Sequence, residues 1–157
     1  MPHDLSKALF DLVQRETPAL RSFPEMETAT RPSGAASWSP KEELGHLIDS
    51  AANNHLRFVR ASLEPGFHGP AYAQDDWVSI HGYQEMEWSS IVGFWVQYNT
   101  FLAGMIARIP DGKLSTLCFI GGGGPVTLRF LLEDYMLHAQ HHLDHLLRRG
   151  KVTRYPA

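Results

Sequence analysis

Four histidines fall in one short stretch near the end of the chain, His138-Ala139-Gln140-His141-His142-Leu143-Asp144-His145. His138 and His142 are four apart. On a helix they share a face, one turn above the other, and two imidazoles so placed can chelate one divalent cation. His145 follows His142 by three and Asp134 precedes His138 by four, so the same face stays polar for three turns. Nine histidines in 157 residues give about half an i,i+4 pair by chance, and a solvated histidine-rich helix end has the same look. A third ligand tips the balance. His46 stands in Leu44-Gly45-His46-Leu47-Ile48-Asp49, among apolar positions, and looks inward. A lone inward histidine is more often a satisfied core residue than a ligand. In a bundle, though, a second inward polar face must meet another polar group or stay unsatisfied. Asp49 and Asn53 extend the His46 face at i+3 and i+7. Three histidines from two facing helices leave coordination positions open, as in catalytic metal sites.

Other metal chemistries fail on residue type. A zincin needs H-E-x-x-H, and Ala139 stands where the glutamate base belongs. A ferritin-like di-iron bundle needs two Glu-x-x-His motifs, of which Glu43–His46 is one and the last helix offers no second. The expectation is therefore a mononuclear site. Three neutral imidazoles suit zinc or nickel first, with iron, manganese and copper also admissible. Gly121–Gly124 lacks the Lys-Ser/Thr of a phosphate loop and reads as a turn. Cys118 lies among apolar residues and reads as packing. Trp38, Tyr72 and Trp77 sit in or beside loops and are candidates for a pocket rim. Asp75 and Asp76 read as caps of a short helix.

Four amphipathic helices must position these groups. The first runs from about Asp4, a candidate N-cap, to Arg15 or on to Ser22, with Pro18 expected to open a new turn rather than sit mid-helix. The second opens on Ser39-Pro40-Lys41-Glu42, a cap, a proline suited to the first helical position and a glutamate able to reach back. Its stripe is Leu44, Leu47/Ile48, Ala51/Ala52, His55, Val59 and Leu63, ended by Pro65. The third spans about Gln84 to Ile109, with Trp88, Ile91/Val92, Trp95, Tyr98, Phe101/Leu102 and Met105 as its stripe; Pro110-Asp111-Gly112 stops it. The fourth runs from Thr127 to Arg149, with Gly150 as its C′ residue. Three long connections, Phe23–Trp38, Glu64–Tyr83 and Ser115–Val126, join them, and loops this long inside a compact domain are usually functional or disordered. Asp75–Ile80 fits a short helix, and Leu117–Ile120 with Pro125–Thr127 a small hairpin before the last helix. The expected fold is all-α: one four-helix bundle domain over residues 1–157.

Composition narrows the partners. With 43% hydrophobic and 20% charged residues the chain fits a globule rather than a disordered segment. A net charge of -3 provides no basic field for nucleic acid. One cysteine rules out a disulfide framework and a cysteine-rich zinc site. No apolar run nears the roughly 20 residues of a membrane span. No basic stretch leads into an apolar core at the N-terminus, so the expected location is the cytoplasm.

Two segments then carry a resemblance. Trp38-Ser39-Pro40-Lys41-Glu42-Glu43-Leu44-Gly45-His46-Leu47-Ile48-Asp49-Ser50 is similar to the W-S-x-x-E-x-x-x-H-L-x-D-S signature of the DinB/YfiT-like superfamily, and Tyr135–His145 resembles its Y-x-x-H-x-x-H-H-x-x-H signature. The likeness covers nearly the whole chain. It implies an up-down-down-up four-helix bundle, often a homodimer. It also implies one divalent metal ion on His46, His138 and His142. His141 and His145 match positions outside the ligand set, and His141 reads as a surface residue. Members of the superfamily include thiol S-transferases, which join low-molecular-weight thiols to electrophiles, and proteins described as metal-dependent hydrolases. The resulting expectation is an enzyme acting on a small molecule, in detoxification or a stress response, in which the metal activates a thiol or lowers a bound water's pKa to about 7. Helical phase gives Asp49 the role of orienting His46 or accepting a proton, Asn53 that of bonding substrate, and Asp134 that of holding His138. The alternative from another class is a non-catalytic metal-binding or ligand-sensing bundle.

Overall fold

The computed structural model describes residues 1–32 and 37–156; part of the Phe23–Trp38 connection, residues 33–36, lies outside the described residues. Five helices are described: α1 (Pro2–Arg21), α2 (Pro40–Leu63), α3 (Gln74–His81), α4 (Trp88–Ile106) and α5 (Leu128–Leu146). α2 begins as its sequence dictates. Ser39 accepts from the Glu42 N–H while the Glu42 carboxylate accepts from the Ser39 N–H, closing a capping box, and Pro40 takes the first position.

α1, α2, α4 and α5 form the bundle, and their contacts fix its directions. Ser6 near the start of α1 bonds the Ala103 carbonyl near the end of α4, while the Trp88 indole bonds the Leu20 carbonyl, so α1 and α4 are antiparallel. Ser39 meets Gln84 just before α4 and Glu64 meets Lys113 beyond it, so α2 and α4 run parallel. Glu43 meets His142 and His145, which makes α2 and α5 antiparallel. In chain order the bundle helices therefore run up, down, down, up. Leu9, Val13, Leu44, Leu47, Phe58, Val92, Trp95, Leu102, Leu132 and Leu143 fill the centre. None of the described helices is long and apolar enough to cross a membrane.

A three-stranded sheet, order β1 (Phe67–Gly69), β2 (Leu117–Ile120), β3 (Val126–Thr127), lies beside the bundle. The expected hairpin is β2–β3, antiparallel with Cys118 opposite Val126. β1, which lacks any readable period, adds in parallel with Phe67 opposite Cys118, and both side chains are buried. Gly121 makes the turn after β2 at φ 61, where a side chain would be strained, and its N–H bonds the Gly69 carbonyl.

Several expectations are corrected. Asp4 lies inside the first turn of α1, with Met1 at the cap. Pro18 sits within α1; its ring is exposed, and the Gln14 carbonyl that its missing N–H leaves without a helical donor is on an exposed residue that water can reach. The α2 stripe drifts, so Phe58 and Ala61 enter the core while Leu63 is 76% exposed. Phe101 on α4 is likewise 61% exposed. α4 starts at Trp88, behind a tight turn over Tyr83–Glu85. α5 ends at Leu146, and Arg148 rather than Gly150 takes the left-handed conformation, at φ 57. Asp75 and Asp76 make no cap bond; Ala73 holds the cap position of α3.

Candidate metal centre

The antiparallel packing of α2 on α5 brings His46 against His138 and His142. The Nε2 atoms of His46 and His138 are 3.1 Å apart, and one ring nitrogen from each of the three histidines lies within 4.8 Å of the others. Tetrahedral metal–nitrogen bonds of about 2.0–2.1 Å place ligand nitrogens roughly 3.3 Å apart, so small ring adjustments fit one ion. His46 is 1% exposed. Burial, followed by the neighbouring histidines, lowers the pKa of both His46 and His138 to about 3. Both rings are therefore neutral, the form that binds a metal. The Trp38 ring covers His46 at 4.6 Å between centroids and lies 6.4 Å from His142, which bears out its place at the rim.

Glu43 stands behind the trio. Three positions before His46 on α2 and 5% exposed, it accepts from His142 Nδ1 at 2.8 Å and from His145 Nδ1 at 2.8 Å. A proton held on His142 Nδ1 leaves the Nε2 lone pair to face the other two rings. Sequence reasoning used Glu43 only to reject a di-iron site. The available signal was its Glu-x-x-His spacing from His46, but its partners lie on another helix. His46 Nδ1, by contrast, is buried without a partner among the described residues.

The remaining candidates have other partners. Asp49, 1% exposed, accepts from the Tyr83 hydroxyl at 2.6 Å and from His81 Nδ1 at 2.8 Å, and makes no bond to His46. It fastens α3 and the following turn to α2. Burial raises its pKa, against the lowering pull of Tyr83 and His81. The Asn53 amide donates to the Asp49 carbonyl one turn back, at 2.9 Å. Asp134 accepts from the Tyr155 hydroxyl at 2.8 Å instead of holding His138, whose ring meets Tyr155 edge-on. His141 is half-buried rather than a surface residue, and its Nδ1 bonds the Thr153 carbonyl at 2.7 Å.

Two cavities flank the trio. One, of about 420 Å³, is bordered by Trp38, Glu43, Asp75, His141, His142 and His145. The other, of about 310 Å³, reaches His138 and is lined by Ser50, Asn54, Arg57, Tyr72, Asp134 and Tyr155. Gln74 at the start of α3 borders both. Ser50, Asn54 and Arg57, not Asn53, supply the polar lining from α2. A larger depression of about 500 Å³ among Pro65, Pro110 and Lys113 holds no histidine or carboxylate, and volume alone does not mark a site.

The C-terminal tail closes one side. Arg149 pairs with Glu16 of α1 at 2.6 Å and with Asp144 at 2.7 Å. The Thr153 N–H and hydroxyl both donate to Asp144. Tyr155 then lies against His138. Nothing in the periodicity of the sequence signals this segment.

Comparison with known proteins agrees with this architecture. The family model described as the DinB superfamily matches residues 9–146. A protein of Bacillus cereus (strain G9842) described as a "putative metal-dependent hydrolase" is 28% identical over 80 residues. That match covers 51% of this chain and 39% of the relative, so the chain spans well under half of the relative's length. YfiT from Bacillus subtilis, described as a "probable metal-dependent hydrolase with an unusual four-helix bundle topology", superposes with a TM-score of 0.82 at 16% identity, over 94% of this chain and 84% of its own. At that identity the superposition speaks for the fold alone. The bundle and a match from Leu9 to Leu146 establish one conclusion: the chain belongs to the DinB superfamily.

Proposed function

We propose that His46, His138 and His142 hold one divalent cation and that the chain is a metal-dependent enzyme of hydrolase type acting on a small molecule. The observation that carries this reading is the convergence of three ring nitrogens within 4.8 Å, beside a cavity of about 310 Å³. The likeness to the Bacillus cereus relative, described as a metal-dependent hydrolase, supports it. An ion bound there supplies Lewis acidity that activates a water, or the thiol of a co-substrate, at the open coordination positions. The chain's own groups do the rest. Glu43 keeps the His142 proton on Nδ1 and the ring aimed. Trp38 excludes water from the His46 side. The Asn54 amide and Ser50 hydroxyl give the cavity hydrogen-bonding groups that can orient a substrate.

The test is metal content by elemental mass spectrometry, on untagged protein kept from nickel resin. About one equivalent is expected in the parent and in Ser90→Ala, on the exposed face of α4, with loss in His46→Ala and His142→Ala. Turnover of activated esters, and of thiols with an aryl electrophile, is then read with and without the ion. No uptake after reconstitution would sink the proposal. Uptake without turnover of either panel would favour the non-catalytic, ligand-sensing reading.

A further inference from the structure

The cavity beside His138 has an unusual order of charges along its length. On the α2 side Ser50, Asn54 and Arg57 line it at spacings of three or four residues, continuing the helical face that begins at His46 one turn before Ser50. Arg57 comes eleven positions after His46, about 16 Å farther along the axis at 1.5 Å per residue. Among the described residues it is the one arginine or lysine lining this cavity. Among the described residues Arg57 pairs with no carboxylate, as Arg21, Arg108 and Arg154 do not, but of these only Arg57 lines this cavity. It is nevertheless held in place. One of its terminal nitrogens donates to the Pro70 carbonyl at 3.0 Å, and its guanidinium lies 5.9 Å from the Tyr72 ring centre. That leaves other guanidinium donors without an acceptor among the described residues.

We propose that Arg57 is a carboxylate anchor and that the substrate is elongated, with its reacting group at the three histidines and a carboxylate about three helical turns away. A guanidinium presents two parallel N–H groups that match the two oxygens of a carboxylate, and its partial burial strengthens the pairing. Asp134, one turn from His138, lines the same cavity. It repels an anion placed nearer the histidines, so the far end is where a negative group gains. The location of the reacting end rests on the metal reading above; the anchor itself does not.

Calorimetry with adipate, suberate and sebacate, each against its half-amide, tests the anchor. In the parent, the diacid that spans the cavity is expected to bind about tenfold more tightly than its half-amide, the worth of one charge-assisted pair. In Arg57→Ala and Arg57→Gln that ratio falls below about twofold. Glutamine keeps a donor for Pro70 and so guards against a collapsed loop. The preference persists in metal-free parent, where both ligands bind more weakly overall. An unchanged ratio in Arg57→Gln would overturn the anchor, and a matched phosphonate binding about tenfold better than the diacid would overturn the choice of carboxylate. If affinity ignores the metal altogether, the placement of the substrate's reacting end at the histidines fails, while the Arg57 result still stands or falls by its own ratio and the ion site by its metal content.

Discussion

Glu43 does for His142 and His145 what no residue of their own helix does, because a carboxylate buried on α2 meets both Nδ1 atoms at hydrogen-bond distance. Replacing it should leave the fold intact and blur the aim of the ring. Glu43→Gln is expected to weaken metal affinity by roughly 10–100-fold in chelator competition; affinity equal to the parent's would show that helix packing alone orients His142. Asp49 makes a second prediction, of pH dependence. Its pKa is higher in the folded chain than in the unfolded one, because burial disfavours the charge. Such a group contributes fully below its unfolded pKa, about 3.9, and its contribution is lost as pH rises through the folded value. Asp49→Asn keeps an acceptor for Tyr83 and has no charge to desolvate. Its stability relative to the parent should rise from about pH 4 toward neutrality, in denaturant unfolding at a series of pH values. A flat difference would mean that Tyr83 and His81 fully offset the burial.

Gly45 shows how closely the elements fit. A Cβ at that position would collide with the Tyr83 ring, which packs onto α2 just where its hydroxyl reaches Asp49. Gly45→Ala should cost about 1–3 kcal/mol in denaturant unfolding, and a loss under 0.5 kcal/mol would show that the turn over Tyr83–Glu85 moves freely. The helices were largely readable because each buries a stripe, and the start of α2 was readable to the residue because its cap is local chemistry. The trio was readable for a related reason: two members share one helical face and the third interrupts an apolar one. Glu43, Asp49 and Asp134 were not, since a carboxylate's partner depends on how helices pair, and helical phase says only which way it points. β1 escaped notice because Phe67-His68-Gly69 is stabilised by pairing with β2, not by any pattern of its own. The tail from Arg149 to Tyr155 is held by single side-chain bonds that no periodicity announces.

The up-down-down-up order makes neighbours of helices that lie far apart in sequence: α1 packs on α4, and α2 on α5. His46 and His138 are 92 positions apart. An ion shared by them is a cross-link that encloses α3, α4 and the whole three-stranded sheet in one closed loop. Its effect resembles that of a long-range disulfide, with the difference that it is reversible and set by concentration. On the proposed reading, an ion that binds only the folded chain adds about 2.7 kcal/mol at a free concentration one hundred times its Kd. The melting temperature should therefore climb with the logarithm of free metal in the parent and stay flat in His46→Ala, by scanning calorimetry in metal buffers. A parent curve as flat as the variant's would rule out the cross-link. Because unfolded chains are the ones proteases remove, a protein stapled in this way has a lifetime that follows the supply of its ion. Starvation for the metal would then thin out the protein itself and not merely idle its site.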